Sequence, residues 1–106
     1  MDYSKAIEFG AAQQLLQSQI KMINAEISDW ISQKNDLLNQ SVTNLKENIT
    51  PSFQTNGDII CNLLREKNVE GYDGYISEWQ ELVSNRNAIL KNISTLNDDI
   101  LTWSIS

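Results

Sequence analysis

The apolar residues of this chain fall into two stripes of helical period, parted by one stretch that carries Pro, Asn and Gly. The first stripe reads Ile20, Ile23, Ile27, Ile31, Leu38, Val42, Leu45 and Ile49. With the lapse at Lys34 and Asn35 counted as one position between Ile31 and Leu38, its steps average about 3.6 residues, the period of a nearly straight α-helix. The second reads Trp79, Leu82, Ile89, Ile93, Leu96, Ile100 and Trp103, with the polar Arg86 at the seam position between Leu82 and Ile89. Its steps alternate three and four, which is the heptad seam of a helix that supercoils against a partner helix. Between them lies Thr50-Pro51-Ser52-Phe53-Gln54-Thr55-Asn56-Gly57. Two long stripes of one period with one interruption leave helix-on-helix packing as the way to bury them. The pattern predicts an all-α, antiparallel helical hairpin in a single domain spanning 1–106. The expected parts are a helix over about 4–49, a turn over about 50–57 and a helix over about 58–104.

Local signals set those bounds. Asp2 or Ser4 can cap the first helix, because either side chain accepts a hydrogen bond from a first-turn N–H. The residue before Pro51 avoids the α region, so the first helix should stop near Ile49. Asn56-Gly57 signals a turn, and Asp58 follows as a plausible N-cap. Residues 68–74 are a weak point, with Gly71 and Gly74 close together. Matched arm lengths favour one continuous second helix; a break followed by a third helix is the other solution. Antiparallel pairing about the turn sets Trp30 beside Trp79, Leu16 beside Ile93 and Lys34 near Gly74.

Composition narrows the chemistry. The formal charge is −6, and phosphate binding needs a basic face, so no nucleic-acid partner is expected. The absence of histidine removes the commonest general base and the commonest metal ligand. The lone Cys61, beside Ile59, Ile60 and Leu64, excludes an internal disulfide and reads as a small buried apolar residue. Asp98 and Asp99 are adjacent, so on a helix they point apart and cannot flank one substrate atom. No phosphate-binding loop or nucleophile motif is present. The expectation is a protein without enzymatic activity, cofactor or metal. No run of about 20 apolar residues occurs, so no transmembrane segment is expected. Met1-Asp2-Tyr3-Ser4-Lys5 lacks the basic and apolar regions of a secretory leader. A cytoplasmic protein is expected, or one exported as a folded complex with a partner.

The stripes are wider than one seam needs. Ile76, Val83, Leu90 and Leu101 run beside the second seam, and Leu15, Met22 and Leu37 flank the first. Wide stripes need cover, so a second hairpin should pack alongside to make a four-helix bundle, as a homodimer or a heterodimer. Tyr72, Tyr75 and Trp79 share one face, as core or as a recognition patch. A mixed arrangement is expected, with Trp79 inside and Tyr72 and Tyr75 at least partly exposed. Arg86 on the seam reads as a snorkelling or salt-bridged side chain, or as a register- or partner-specifying residue. Asp98 and Asp99 should join Asp2 and Glu8 at an acidic end, with Lys5 close by, either solvated or facing a basic partner surface. The candidate partner-binding residues are therefore Tyr72, Tyr75, Ile76, Trp79, Val83, Leu90, Asp98 and Asp99.

About 100 residues, two helical arms of equal length, an acidic balance and no cysteine framework resemble the small helical-hairpin proteins of bacterial type VII secretion. One branch is the Trp-Xaa-Gly family; another comprises small helical partners of LXG toxins. Phe53 and Gly57 stand where the first branch carries Trp-x-Gly. The Tyr-x-x-x-Asp/Glu export signal is absent, since Tyr72 leads to Ile76 and Tyr75 to Trp79. Its Phe variant is absent too, since Phe9 leads to Gln13 and Phe53 to Gly57. The resemblance implies an adaptor or targeting chaperone for a secretion effector, and a member that takes its export signal from a partner such as a toxin's N-terminal helical domain. The alternative is a phage-encoded inhibitor or an acidic, antitoxin-like binding protein.

Overall fold

A computed structural model describes residues 3–38 and 53–106 of the chain. Those residues form three helices and no strand: α1 (Tyr3–Leu37), α2 (Phe53–Glu66) and α3 (Tyr72–Ile105). The all-α class follows from the two periodic stripes. The expected continuation of α1 through Val42, Leu45 and Ile49, the turn at 50–52 and the cap at Asp2 lie outside the described residues.

α1 is 35 residues long and carries Lys34 in its last turn, where a cation suits the negative end of the helix dipole. Leu38, the last described residue of this segment, donates its N–H to the carbonyls of both Lys34 and Asn35, each at 3.1 Å.

α2 begins at Phe53, so Asn56-Gly57 is helical and Asp58 is not an N-cap. The glycine serves packing. A Cβ built on Gly57 would overlap the Trp79 indole, so the residue gives room for a ring. Asp58 instead accepts a 3.0 Å hydrogen bond from Trp79 Nε1.

The continuous second helix expected from matched arm lengths is not formed. The chain breaks between Glu66 and Tyr72, inside the stretch read as weak. α2 ends in a Schellman motif. Asn68 takes the left-handed conformation at φ 53°. Its N–H bonds to Arg65 O at 3.1 Å, and the Val69 N–H bonds to Leu64 O at 3.0 Å. Gly71, at φ 83°, then starts α3 by accepting the Tyr75 N–H at 3.2 Å. Asp73 in the first turn of α3 complements the helix dipole.

The chain divides into two compact units, Ala25–Val83 and Met1–Asn24 with Ser84–Ser106. The first of these holds the well-sealed core: Ile27, Trp30, Ile31, Leu38, Ile60, Cys61, Leu64, Ile76 and Trp79 are buried. Complete burial of side chains such as Ile27, Ile60 and Leu64 contributes roughly 1.5–3 kcal/mol each. Trp30 and Trp79 sit with ring centroids 4.8 Å apart, as the antiparallel pairing predicts.

The other unit is a pair of helical segments that run antiparallel. Phe9 meets Trp103 edge to face with centroids 5.5 Å apart, and Arg86 Nε donates to Asn24 Oδ1 at 3.0 Å. Leu16 and Ile93 line one cleft between the two segments, in the expected register. Among the described residues of this unit Ile23 alone is buried; Phe9, Leu16, Ile20, Ile89, Ile93, Leu96, Ile100 and Trp103 are half-buried. Two helices alone cannot enclose a seam, because each leaves its flanks to water.

Candidate protein-interaction surface

The candidate residues divide between the units. Tyr72, Tyr75, Ile76, Trp79 and Val83 belong to Ala25–Val83; Leu90, Asp98 and Asp99 belong to the two-helix unit.

Within Ala25–Val83, Trp79 is 3% exposed and Ile76 is 8% exposed, so both are core of this chain. This corrects the reading of Ile76 as a residue awaiting another chain. Three helices meet in this unit, and the extra width of the α3 stripe is sealed inside it. Trp79 illustrates this directly: its ring lies against Trp30 of α1 and over Gly57 of α2. Tyr72, Tyr75 and Val83 are half-buried, which gives the mixed arrangement, with the indole inside and the phenols partly out.

Lys34 is the one charged residue buried among the described residues. Its Nζ lies 4.4 Å from the Tyr75 ring centroid and 5.9 Å from that of Trp30. It also approaches Glu78 Oε2 at 3.8 Å. The stem is covered while the head meets a ring face and a carboxylate that is itself half in water. Lys34 does not rest on Gly74, where an added Cβ would touch nothing within 4 Å.

In the two-helix unit Asp98 and Asp99 are exposed. Asp99 lines an open cleft with Lys5, Phe9, Thr102 and Trp103. Lys5 also pairs with Glu8 at 3.7 Å. Of the expected acidic end, the structure brings Asp99 and Lys5 to one cleft, while Asp2 lies outside the described residues. Arg86 is half-buried and donates from Nε to Asn24 Oδ1 across the helix pair at 3.0 Å.

Large apolar side chains are exposed on both helices of this unit. On α1, Ile7 is 74% exposed, Leu15 59% and Met22 64%. On α3, Leu90 is 39% exposed and Leu101 60%. The α1 residues alternate with Ala11, Ser18 and Ala25, a row of small side chains seven residues apart. Large residues beside such a row are what helix-to-helix contact uses, and that spacing was available to find Ile7.

Nothing in the described residues gathers three His, Cys, Asp or Glu side chains able to hold a metal ion. No helix among them is long and apolar enough to cross a membrane. Compared with protein-family models, with curated proteins and with solved structures, the chain matches none.

Proposed function

We propose that this protein is a non-enzymatic helical partner protein, completed by helices of another chain in a four-helix arrangement. The part it fits best is that of an adaptor or targeting chaperone for a type VII secretion effector. The observation that supports the reading is the contrast between the two units. Ala25–Val83 seals its own core, whereas the pair Met1–Asn24 and Ser84–Ser106 leaves its seam half-covered and Ile7, Leu15 and Met22 exposed. An apolar row of this kind is a protein-binding surface in waiting. The negative charge suits a partner with basic residues at the rim of the contact.

The test is co-expression with the N-terminal helical domain of an effector encoded beside this protein, followed by purification of the complex. Leu15→Glu with Met22→Glu should abolish the complex while circular dichroism stays helical. An effector domain that binds parent and variant alike, or neither, removes the proposal. Capture of a toxin's catalytic domain in its place would favour an antitoxin-like inhibitor.

A further inference from the structure

The α3 helix carries a second seam outside the one that faces α1. Asn87, Leu90, Ser94, Asn97, Leu101 and Ser104 follow each other in alternating steps of three and four, and all are exposed. This is heptad spacing, so these residues form one stripe along the helix. Read in reverse against itself, the stripe is self-complementary. Leu90 falls opposite Leu101, Ser94 opposite Asn97 and Asn87 opposite Ser104.

The charges decide the orientation. Lys91 and Asp98 are seven residues apart, so they lie on the same flank of the stripe, and both are exposed. In an antiparallel helix pair, a flank meets its own copy. Lys91 then faces the partner's Asp98, and Asp98 faces the partner's Lys91. A parallel pair would instead bring Lys91 toward the partner's Arg86, which repels. The same antiparallel alignment on α1, with Leu15 opposite Met22, sets Glu8 against Asp29 and repels as well. Of the two exposed rows, only that of α3 suits its own copy.

We infer that α3 docks antiparallel on α3 of a second copy of this chain, with two symmetric Lys91–Asp98 ion pairs flanking a Leu90–Leu101 contact. A two-fold axis passes near Thr95, and the contact is isologous. Its apolar content is Leu90 and Leu101 from each copy, so association is weak and depends on concentration. Ser94 and Asn97 at the centre offer hydrogen bonds that fix the register. The inference rests on the reading that the two-helix unit is completed by other helices, and it assigns the α3 side to self-pairing and leaves the α1 row for a different protein.

Sedimentation equilibrium on the full chain tests this over a wide concentration range. A monomer–dimer equilibrium is expected. Lys91→Asp and Asp98→Lys should each raise the dimer dissociation constant roughly tenfold, since each turns two attractions into repulsions. The double variant, Lys91→Asp with Asp98→Lys, should restore the parent value. These are surface changes, so folding is not at stake; Leu101→Glu, checked for helicity, should leave only monomer. A chain monomeric at every concentration overturns the inference, as does a dimer that the double variant fails to rescue. Effector binding measured on the same samples reports separately on the α1 row, so a monomer that still binds effector sinks the self-pairing alone.

Discussion

Trp79 donates its indole N–H to the Asp58 carboxylate at 3.0 Å, and this bond ties α3 to α2 at the rim of the core. Trp79 is buried while Asp58 is exposed, so the polar tip of the ring reaches the edge of the core as its body fills the inside. Asp58→Ala should cost ~1–2 kcal/mol, because the indole N–H loses its acceptor. Asp58→Asn keeps an acceptor oxygen and should cost less. Trp79→Ala should cost roughly 3–5 kcal/mol through loss of the ring from the core. Urea unfolding of the three variants checks the order; equal stability of Asp58→Ala and the parent would show that the bond contributes nothing.

Two helical glycines should respond to alanine with opposite signs. Gly10 has nothing within 4 Å of an added Cβ, so Gly10→Ala should stabilise by about 0.5–1 kcal/mol through helix propensity. At Gly57 the new methyl would overlap the Trp79 ring. Gly57→Ala should therefore destabilise by ~1–3 kcal/mol as α2 and α3 are forced apart. A stabilised Gly57→Ala protein would refute the close approach of Trp79 to α2.

The same glycine shows what the sequence could and could not reveal. Asn-Gly has one signature whether it makes a turn or clears space for an indole, and only the tertiary partner decides. Period carries no such ambiguity, so the helical character of α1 and of α3 from Trp79 onward, and the Trp30–Trp79 contact, were legible. Ile76 was misplaced for a different reason. A wide stripe demands cover, but periodicity does not say whether the cover is another chain or a third helix of the same one. The break at Asn68 lay within a stretch that composition flagged as weak, yet equal arm lengths argued for continuity. The Schellman bonds from Asn68 and Val69 outweighed that symmetry.

Backbone conformation at the break is testable. Asn68 and Gly71 both have positive φ. Gly71→Ala should cost about 1 kcal/mol or more, because a Cβ is disfavoured there whatever the free space. Asn68→Gly should be neutral or mildly stabilising, and Asn68→Val should destabilise by ~1–2 kcal/mol. Thermal melts rank the three; an unaffected Asn68→Val protein would mean that α2 does not end in the left-handed cap.

Lys34 separates packing from charge. Its buried stem fills core space, and its Nζ lies over Tyr75 and near Glu78. Lys34→Met keeps the stem and should be neutral or stabilising, since no charge is then desolvated. Lys34→Glu should cost ~3 kcal/mol or more by leaving a buried carboxylate beside Glu78 and a ring face. Glu78→Gln should change stability by less than ~1 kcal/mol, because that partner is half in water. A Lys34→Met protein as unstable as Lys34→Glu would show that the cation itself is required.

Cys61 gives the pH dependence a definite sign. The thiol is 7% exposed. Burial, and then the negative charge of Asp58, push its pKa from 9.0 up to about 11, with Arg65 pulling the other way. Between those values the unfolded chain has released the proton and the folded chain still holds it. The folded state then binds more protons, so stability falls as pH rises. The contribution is fully present below pH 9 and is lost as pH climbs toward 11. Its size is on the order of 2 kcal/mol. Lysines and tyrosines also titrate in this range, so the Cys61→Ala variant supplies the baseline. Urea unfolding at about pH 8 and about pH 10.5 should show the parent losing more stability than the variant. Thiol labelling at neutral pH gives a second reading, slow in the native state and fast in denaturant. Parallel stability curves for parent and variant, together with immediate labelling of the native protein, would place Cys61 at the surface and overturn the packing of α2 described here.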